Sequence, residues 1–217
     1  MDPVPVLELD HVIFVVPDLQ LGAEDFLQRY GLVTIPGGVH PGGTSNRVIP
    51  LRNSQYVELL TVHDEAALRA DDPEAETVLG LRDRGGGLLG WELRTGDMDA
   101  FTARTGVEAE AGSIVLDDGR RSSWRAASPT SGYGGALPYV VSYDEDAAVR
   151  RERWDRSFEE AAHPSGATHI DWVEVAVDED RLRDWLGPAD LSIRVASEGR
   201  GLRAVGLSAP NADVVIR

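Results

Sequence analysis

The chain has 217 residues, of which 42% are hydrophobic and 27% are charged, a balance that is typical of a globular protein. Its net charge of −16 disfavours nucleic acid and anionic membranes as partners, because both would repel it. All 21 basic residues are arginines and cysteine is absent, which excludes a P-loop lysine, a Schiff-base lysine and a thiol nucleophile.

The first stretch of the chain, MDPVPVLELD, lacks the basic region of a secretory signal. No apolar run approaches the length of a membrane span. Since the cysteine count also rules out disulfides, we expect a cytoplasmic protein.

The first folding pattern is a strand, a helix and three further strands. The β-rich run HVIFVVPDL starts at His11, and the helix that follows has Asp18 as its N-cap and Gly31 as its stop signal. The runs NRVIPL and QYVELLTV are typical of strands, and the polar residues RNS between them indicate a turn. A short strand near 32–35 completes a βαβββ module.

The same order recurs twice, with an aspartate before and a glycine after each helix. These residues are Asp97 and Gly106 in the second case, and Asp178 and Gly187 in the third. The alternative is an α+β domain whose regularity is coincidental. We predict three βαβββ modules, over residues 7–62, 87–143 and 167–217.

This repeat predicts an α+β fold and a division of the chain into three parts. Residues 1–143 form one domain from the first two modules, residues 144–166 form a helical linker, and residues 167–217 pack on the body as the third module. The acidic segment 63–77 is expected to be a solvated loop with one helical turn.

A glycine pattern at Gly85, Gly87 and Gly90 matches G-x-G-x-x-G. The dinucleotide fingerprint needs a strand before the glycines and a helix after them, whereas here a strand follows. We therefore expect no nucleotide cofactor.

His11 and Glu58 are the first candidates for a functional site. Strand alternation places His11 on one face of the first strand, and Glu58 shares a face with Tyr56 and Leu60 in the last strand of the module. A glutamate within an apolar strand needs a partner. The pair is either half of a divalent metal site or a buried hydrogen-bonded pair.

The segments LDHVIFVVPDL, GGVHPGGTSNRVIPL and YVELL, in that order, resemble the vicinal oxygen chelate superfamily and its glyoxalase-like branch. The resemblance covers the first two thirds of the chain well and the last third loosely. It implies that two modules pair edge to edge into an open half-barrel cup, with the third module as an accessory.

In this superfamily each module typically offers one metal ligand from its first strand and one from its last. The resemblance assigns these roles to His11 and Glu58 in the first module. In the second module, counting back seven residues from Asp97 gives Gly90, and the last strand PYVVSY offers Ser142 where a glutamate would lie; neither is a typical ligand. The ligand set is therefore incomplete, unless His169 or Asp171 of the third module completes it.

The loop GGVHPGGTSN surrounds His40 with four glycines, which allow its backbone to approach a cavity closely. We predict that His40 lines the cavity as a second acid–base group, with Thr44 and Asn46 as substrate-lining residues. The alternative is a tight turn with His40 exposed to solvent.

Three functions remain open from the sequence, and one of them is a structural or partner-binding role without chemistry in a pocket. The other two use the cup. The first is an enzyme of the vicinal oxygen chelate type, a lyase, isomerase or dioxygenase, in which Glu58 is base or ligand and a divalent metal (Zn, Ni, Fe or Mn) assists proton transfer. The second is a metal-free protein that binds or sequesters a small molecule in the same cup. In either case the partner is a small molecule, and a homodimer is open to the chain.

Overall fold

The computed structural model describes residues 6–71, 74–129 and 136–217. The first five residues of the expected 1–143 domain, residues 130–135 within it and residues 72–73 of the expected loop lie outside the described residues. Among the described residues, no helix is long and apolar enough to cross a membrane.

Eight strands alternate with four helices in the first two thirds of the chain. In chain order they are β1 (Leu7–Val15), α1 (Leu19–Tyr30), β2 (Ile35–Val39), β3 (Thr44–Pro50), β4 (Tyr56–Val62), α2 (Glu65–Asp71), α3 (Ala75–Asp83), β5 (Gly87–Thr95), α4 (Met98–Thr105), β6 (Ala109–Leu116), β7 (Arg121–Ala127) and β8 (Tyr139–Tyr143). The remaining elements are α5 (Ala147–Ala161), β9 (His169–Ala176), α6 (Glu179–Leu186), β10 (Ile193–Val195), β11 (Gly201–Ser208) and β12 (Val214–Ile216).

The helix boundaries follow the predicted punctuation. Asp18, Asp97 and Asp178 each accept backbone N–H groups at the start of a helix, and this satisfies donors that would otherwise lack a partner. Gly31 and Gly106 end their helices in the left-handed conformation, which glycine adopts without a steric penalty. The α+β class built on repeated βαβββ order is confirmed.

The first eight strands form a closed barrel in the order β1-β4-β3-β2-β6-β7-β8-β5. We call β1–β4 the first half-barrel and β5–β8 the second. The halves join along β1 and β5 over eight residue pairs. The expected cup is also joined on its other side, where β2 and β6 share two residue pairs.

The last third of the chain forms a second sheet in the order β10-β9-β11-β12. Its elements follow the order βαβββ, but its first strand, β9, pairs in parallel with the second strand of the module, β10. In the first half-barrel the first strand, β1, pairs in parallel with the last strand of the module, β4. One hydrophobic cluster runs through both sheets and includes Trp91 and Leu93 of β5 with Val205 and Leu207 of β11. Burial of this apolar surface is the main force that holds the second sheet on the barrel.

Residues 63–77, expected to be mostly loop, contribute to α2 and α3 instead. Leu68, Val78 and Leu79 of these helices pack on Ile13 and Leu60 from the barrel interior. The two helices therefore lie against inward-facing side chains of the first half-barrel.

Candidate functional site

The barrel encloses a cavity of about 680 Å³, which is in the size range of small-molecule sites. Much of its wall is apolar, with Ile13, Val48, Leu60, Ile114 and Val141 among its lining residues. Its polar lining residues come from both half-barrels and include Asp117 and Asp118. Two histidines and two glutamates among the lining residues define the candidate site: His11, His40, Glu58 and Glu92.

His11 lies between two carboxylates at the seam of β1 with β4 and β5. Its Nε2 atom is 3.6 Å from Glu58 Oε2 and 3.7 Å from Glu92 Oε1. All three residues are buried. The position between Nε2 and the two carboxylates is therefore complementary to a positive charge, which either a proton or a metal cation supplies.

The other ring nitrogen of His11 is held by Asp10, the preceding residue. His11 Nδ1–H donates to Asp10 Oδ2 at 2.9 Å, and Asp10 is 0% exposed. Tyr143 also donates to Asp10 Oδ2 at 2.7 Å. This leaves Nε2 of His11 directed towards the cavity carboxylates, as is usual for a histidine that binds a metal or transfers a proton.

The charges around His11 explain how it titrates. Burial alone lowers the pKa of His11, but the negative charge of Glu92, the hydrogen bond to Asp10 and the charges of Asp10 and Glu58 together raise it to about 9. Burial would raise the pKa of Asp10, yet Arg150 and the bond from His11 hold it well below its usual range. Asp10 is therefore ionised inside the protein.

His40 lines the same cavity, as the loop composition predicted. Its Nδ1 lies 2.9 Å from Thr44 Oγ1, and its ring meets Trp124 edge-on at 6.3 Å. Burial lowers the pKa of His40, and the positive charge of His11 adds to this against the opposing effect of Glu58. His40 is thus a neutral imidazole near neutral pH, which suits a group that exchanges a proton.

Asn46 connects the glycine-rich loop to the carboxylate. Asn46 Nδ2 donates to Glu58 Oε1 at 2.6 Å, and Asn46 Oδ1 accepts from the backbone N–H of Gly38 at 2.8 Å. A Cβ atom on Gly37 would collide with Asn46 Oδ1. Glycine is therefore required at position 37 because the Asn46 side chain lies directly against the backbone there.

The second half-barrel corrects the sequence-based choice of Gly90 and Ser142. In the β1–β5 ladder His11 pairs with Glu92, and Gly90 pairs with Ile13. Glu58 lies two residues beyond Tyr56, the β4 partner of His11, and Val141 lies two beyond Tyr139, the β8 partner of Glu92. Glu92 and Val141 are therefore the symmetric counterparts of His11 and Glu58, because the strand-to-helix connection is two residues shorter in the second half.

The third module does not complete the set. Neither His169 nor Asp171 is among the residues that line the cavity, and His169 Nδ1 lies 2.9 Å from the neighbouring Thr168 Oγ1. His163 lies in a polar segment of the sequence but is buried. Its Nδ1 accepts the N–H of Val33 at 3.1 Å, and its Nε2 donates to the carbonyl of Pro50 at 2.7 Å.

A metal site is not assembled in the part of the chain that the structure describes. Across residues 6–71, 74–129 and 136–217, no group of three or more His, Asp or Glu side chains is arranged to hold a metal ion. The donor set of His11, Glu58 and Glu92 is nevertheless one imidazole and two carboxylates, which suits Zn, Ni, Fe or Mn.

Sequence reasoning missed Glu92, Asp10 and Arg150. Glu92 could have been found by treating WEL as an apolar strand with one acidic residue, the argument that selected Glu58. Asp10 precedes His11, but its partners are distant in sequence. Arg150 lies in a polar helix whose sequence gives no signal of burial.

Comparisons with known proteins agree with this architecture. A family model described as a glyoxalase-like domain matches residues 9–189. A hypothetical protein from Staphylococcus aureus superimposes with a TM-score of 0.65 at 18% identity, covering 97% of this chain and 84% of that one. Methylmalonyl-CoA epimerase from Mycobacterium tuberculosis gives a TM-score of 0.49 at 20% identity, covering 69% of this chain and 97% of that one. A search of curated proteins gave no match.

Proposed function

This chain belongs to the glyoxalase-like domain family, and on that premise we propose that it is an enzyme that moves a proton on a small molecule held in the barrel cavity. The observation that carries the proposal is the position of His11 Nε2 at 3.6 and 3.7 Å from two cavity carboxylates, Glu58 and Glu92. Such a cluster in an otherwise largely apolar cavity concentrates acid–base groups where a substrate would bind.

Glu58 is the proposed base. Asn46 donates to its Oε1, which fixes the carboxylate and leaves Oε2 on the side of His11. A carboxylate held in this way abstracts a proton from a carbon next to a carbonyl group if the resulting negative charge on oxygen is stabilised. The protonated ring of His11, whose pKa is raised to about 9, provides that stabilisation.

His40 is the proposed second acid–base group. It is neutral near neutral pH and lines the same cavity, so it can accept or return a proton at another position of the substrate. Thr44 orients its ring through Nδ1. This division of roles supports an isomerisation, in which a proton leaves one atom and another arrives elsewhere.

The donor types of His11, Glu58 and Glu92 suit a divalent metal, although the three side chains are not arranged as a ligand set among the described residues. When bound, such a metal would supply the positive charge that polarises a substrate oxygen. Because His11 Nδ1–H donates to Asp10, Nε2 is the ring nitrogen that would be available as a ligand. Because Val141 stands at the fourth position, we propose that binding is weak.

A metal-free protein that binds or sequesters a small molecule is the second candidate. It is favoured by Val141, an apolar side chain at the position symmetric to Glu58. The small-molecule partner, the cytoplasmic location and the homodimer remain predictions.

The test is solvent exchange into small carbonyl compounds. We would incubate the protein in D₂O with 2-hydroxy ketones, 1,3-dicarbonyl compounds and thioesters, and measure deuterium uptake by mass spectrometry. We expect uptake with at least one class, and a loss of at least about 100-fold in Glu58→Gln, the usual range for removal of a general base. Glu110→Gln, which changes an exposed carboxylate on β6, is the matched control.

Two outcomes would contradict the enzyme proposal. Exchange that persists in Glu58→Gln would remove Glu58 as the base. Tight binding of a compound without any exchange in the wild-type protein would favour the sequestering function.

A further inference from the structure

Helix α5 connects the second half-barrel to the C-terminal sheet, and its polar sequence reads as a plain linker. Two of its side chains, Arg150 and Trp154, are nevertheless buried. Both lie against residues that contact His11, through two separate routes.

The first route runs through Asp10. Arg150 Nη2 donates to Asp10 Oδ1 at 3.3 Å, while Asp10 Oδ2 accepts from His11 Nδ1 at 2.9 Å. Arg150 is 5% exposed, and its Nη1 donates to the carbonyl of Ser54 at 3.1 Å. Its guanidinium also lies over the ring of Tyr143 at 3.9 Å. Tyr143 and Arg94 are the other two side chains bonded to Asp10, at 2.7 and 3.4 Å.

The second route is a stack of rings. Trp154 stacks on Tyr56 with centroids 4.7 Å apart and planes 6° apart. Tyr56 in turn stacks on His11 at 4.2 Å and 10°. The hydroxyl of Tyr56 is 3.3 Å from that of Tyr143, so the two routes meet at the Asp10 cluster.

We propose that Arg150 and Trp154 are positioning residues for the His11 site, with Arg150 acting through Asp10 and Trp154 through Tyr56. Arg150 fixes Asp10, which determines that Nδ1 of His11 carries a hydrogen and that Nε2 is directed at the carboxylates. Trp154 fixes the plane of the imidazole through the stack. The inference rests on the proposed function for its consequence in catalysis, but the arrangement of His11 is measurable without a substrate.

The free-energy cost of burying Arg150 argues that this residue does more than anchor α5 on the barrel. A buried guanidinium pays a desolvation penalty, and replacing buried ion pairs with apolar side chains is often neutral or stabilising. Apolar side chains would therefore suffice to dock α5 on the barrel. The Arg150 guanidinium instead reaches a carboxylate whose other oxygen holds the ring nitrogen of the site histidine.

The experiment follows the Nδ1 proton of His11 by NMR of ¹⁵N-labelled full-length protein, with His11→Gln used to assign the signal. The variants are Arg150→Met, Arg150→Gln and Arg150→Lys, and the matched control is Arg151→Met, the exposed neighbour on the same helix. We expect exchange of this proton with solvent to be at least about tenfold faster in Arg150→Met, because the buried bond to Asp10 opens more often. Arg150→Lys should slow the exchange again, and Arg151→Met should match wild type.

Trp154→Leu is tested in the same way and should broaden or shift the ring signals of His11, whereas Trp154→Phe should keep the stack. If Arg150→Met does not fold, Arg150→Gln takes its place, since it keeps a donor for Ser54 and removes the charge. A folded Met or Gln variant with wild-type exchange of the His11 proton would overturn the proposal for Arg150. Wild-type His11 signals in Trp154→Leu would overturn it for Trp154.

The same variants separate this inference from the proposed function. If the wild-type protein exchanges deuterium into a substrate, Arg150→Met should lower kcat because the orientation of His11 is lost, and KM should change with it because Arg150 also lines the cavity. If wild type shows no such exchange, the proposed function fails while the NMR result still decides the role of Arg150.

Discussion

The two half-barrels have the same strand order but give the cavity different chemistry. The first half contributes His11, Glu58 and Asn46, joined by hydrogen bonds and close contacts, and the second half contributes Glu92 and Val141 at the symmetric positions. The backbone repeat therefore survives while the polar groups are unequally shared. The two walls of the cavity therefore differ: His11, Glu58 and Asn46 lie on the first, and the second carries Glu92 with Val141.

The outer faces of the halves differ as well. Phe14 of β1 packs on Phe26 of α1, whereas Trp91 and Leu93 of β5 belong to the cluster shared with the C-terminal sheet. Trp185 of α6 also donates to the carbonyl of Pro138, next to β8. Helix α1 thus packs on the first half, and the C-terminal sheet with α6 packs on the second. The end of the chain also bonds to the first half at Arg52 and Gln55.

Removal of the C-terminal sheet tests this difference most severely. A chain that ends at Glu160 should be insoluble or should melt more than about 10 °C below the full-length protein, because roughly 5 kcal/mol of lost burial corresponds to 10–20 °C at this length. Thermal unfolding followed by circular dichroism measures the effect. An unchanged melting temperature would show that the second half-barrel does not need its cover.

A metal-ligating side chain added to the second half-barrel would give both halves a carboxylate at the symmetric position. Val141→Glu places a carboxylate opposite Glu58 and should raise affinity for Ni²⁺ or Zn²⁺ by at least about 100-fold, since even outer-shell partners are worth roughly 10–100-fold. Wild type should bind these ions weakly, with dependence on His11 and Glu58. Calorimetric titration of the metal measures this.

Ser142→Glu is the matched control, because residue 142 is not among the cavity-lining residues. Equal gains in both variants would show that any added carboxylate attracts the ion. Stoichiometric metal retained by wild type after chelator treatment would show that the two halves already form a complete site.

Gly37→Ala tests the link between loop and carboxylate in the first half. The added methyl group would displace Asn46 from Glu58 and Gly38, leaving buried polar groups unpaired at a cost of about 1–3 kcal/mol. Gly96→Ala in the second half has nothing near its Cβ position and should stay within about 0.5 kcal/mol of wild type. Urea unfolding compares the two, and equal losses would contradict the role of Asn46.

A small pH effect should also distinguish the halves. Burial lowers the pKa of His163, which bonds to Val33 and Pro50 of the first half. The unfolded state therefore binds more protons than the folded state as pH falls from about 7 to 5, and the free energy of unfolding decreases over that window. In His163→Gln, which keeps an acceptor and a donor, this decrease should be smaller, while His63→Gln at an exposed position should leave it unchanged. Denaturant curves at each pH measure the slope, and equal slopes in His163→Gln and wild type would contradict the assignment.

Much of the fold could be predicted because its signals are local. The aspartate and glycine around each helix are stereochemical requirements, and the alternation in β1 and β4 places His11 and Glu58 on the inner face. The division of the chain into domains and the roles of the site residues remain predictions. The resemblance to the glyoxalase-like branch, which those segments carried, is confirmed.

The rest of the site depends on distances along the chain that sequence spacing does not encode. Counting seven residues back from Asp97 indicates Gly90 as the counterpart of His11. The connection from strand to helix is shorter in the second half, however, so the counterpart is Glu92. Arg150 and Asp10 are 140 positions apart, so their contact follows from how α5 docks on the barrel. Trp154 and Phe158, four positions apart, indicate that this polar helix docks on the body, but they do not indicate which residue Arg150 contacts.

The barrel closes unevenly, with two residue pairs between β2 and β6 against eight between β1 and β5. Parting the shorter ladder would break few backbone hydrogen bonds, so transient breathing of the barrel should concentrate there. The loop that carries His40 follows directly from β2 on this seam. We therefore expect the cavity volume to change more on the side of β2 and β6 than on the side of β1 and β5, which holds His11.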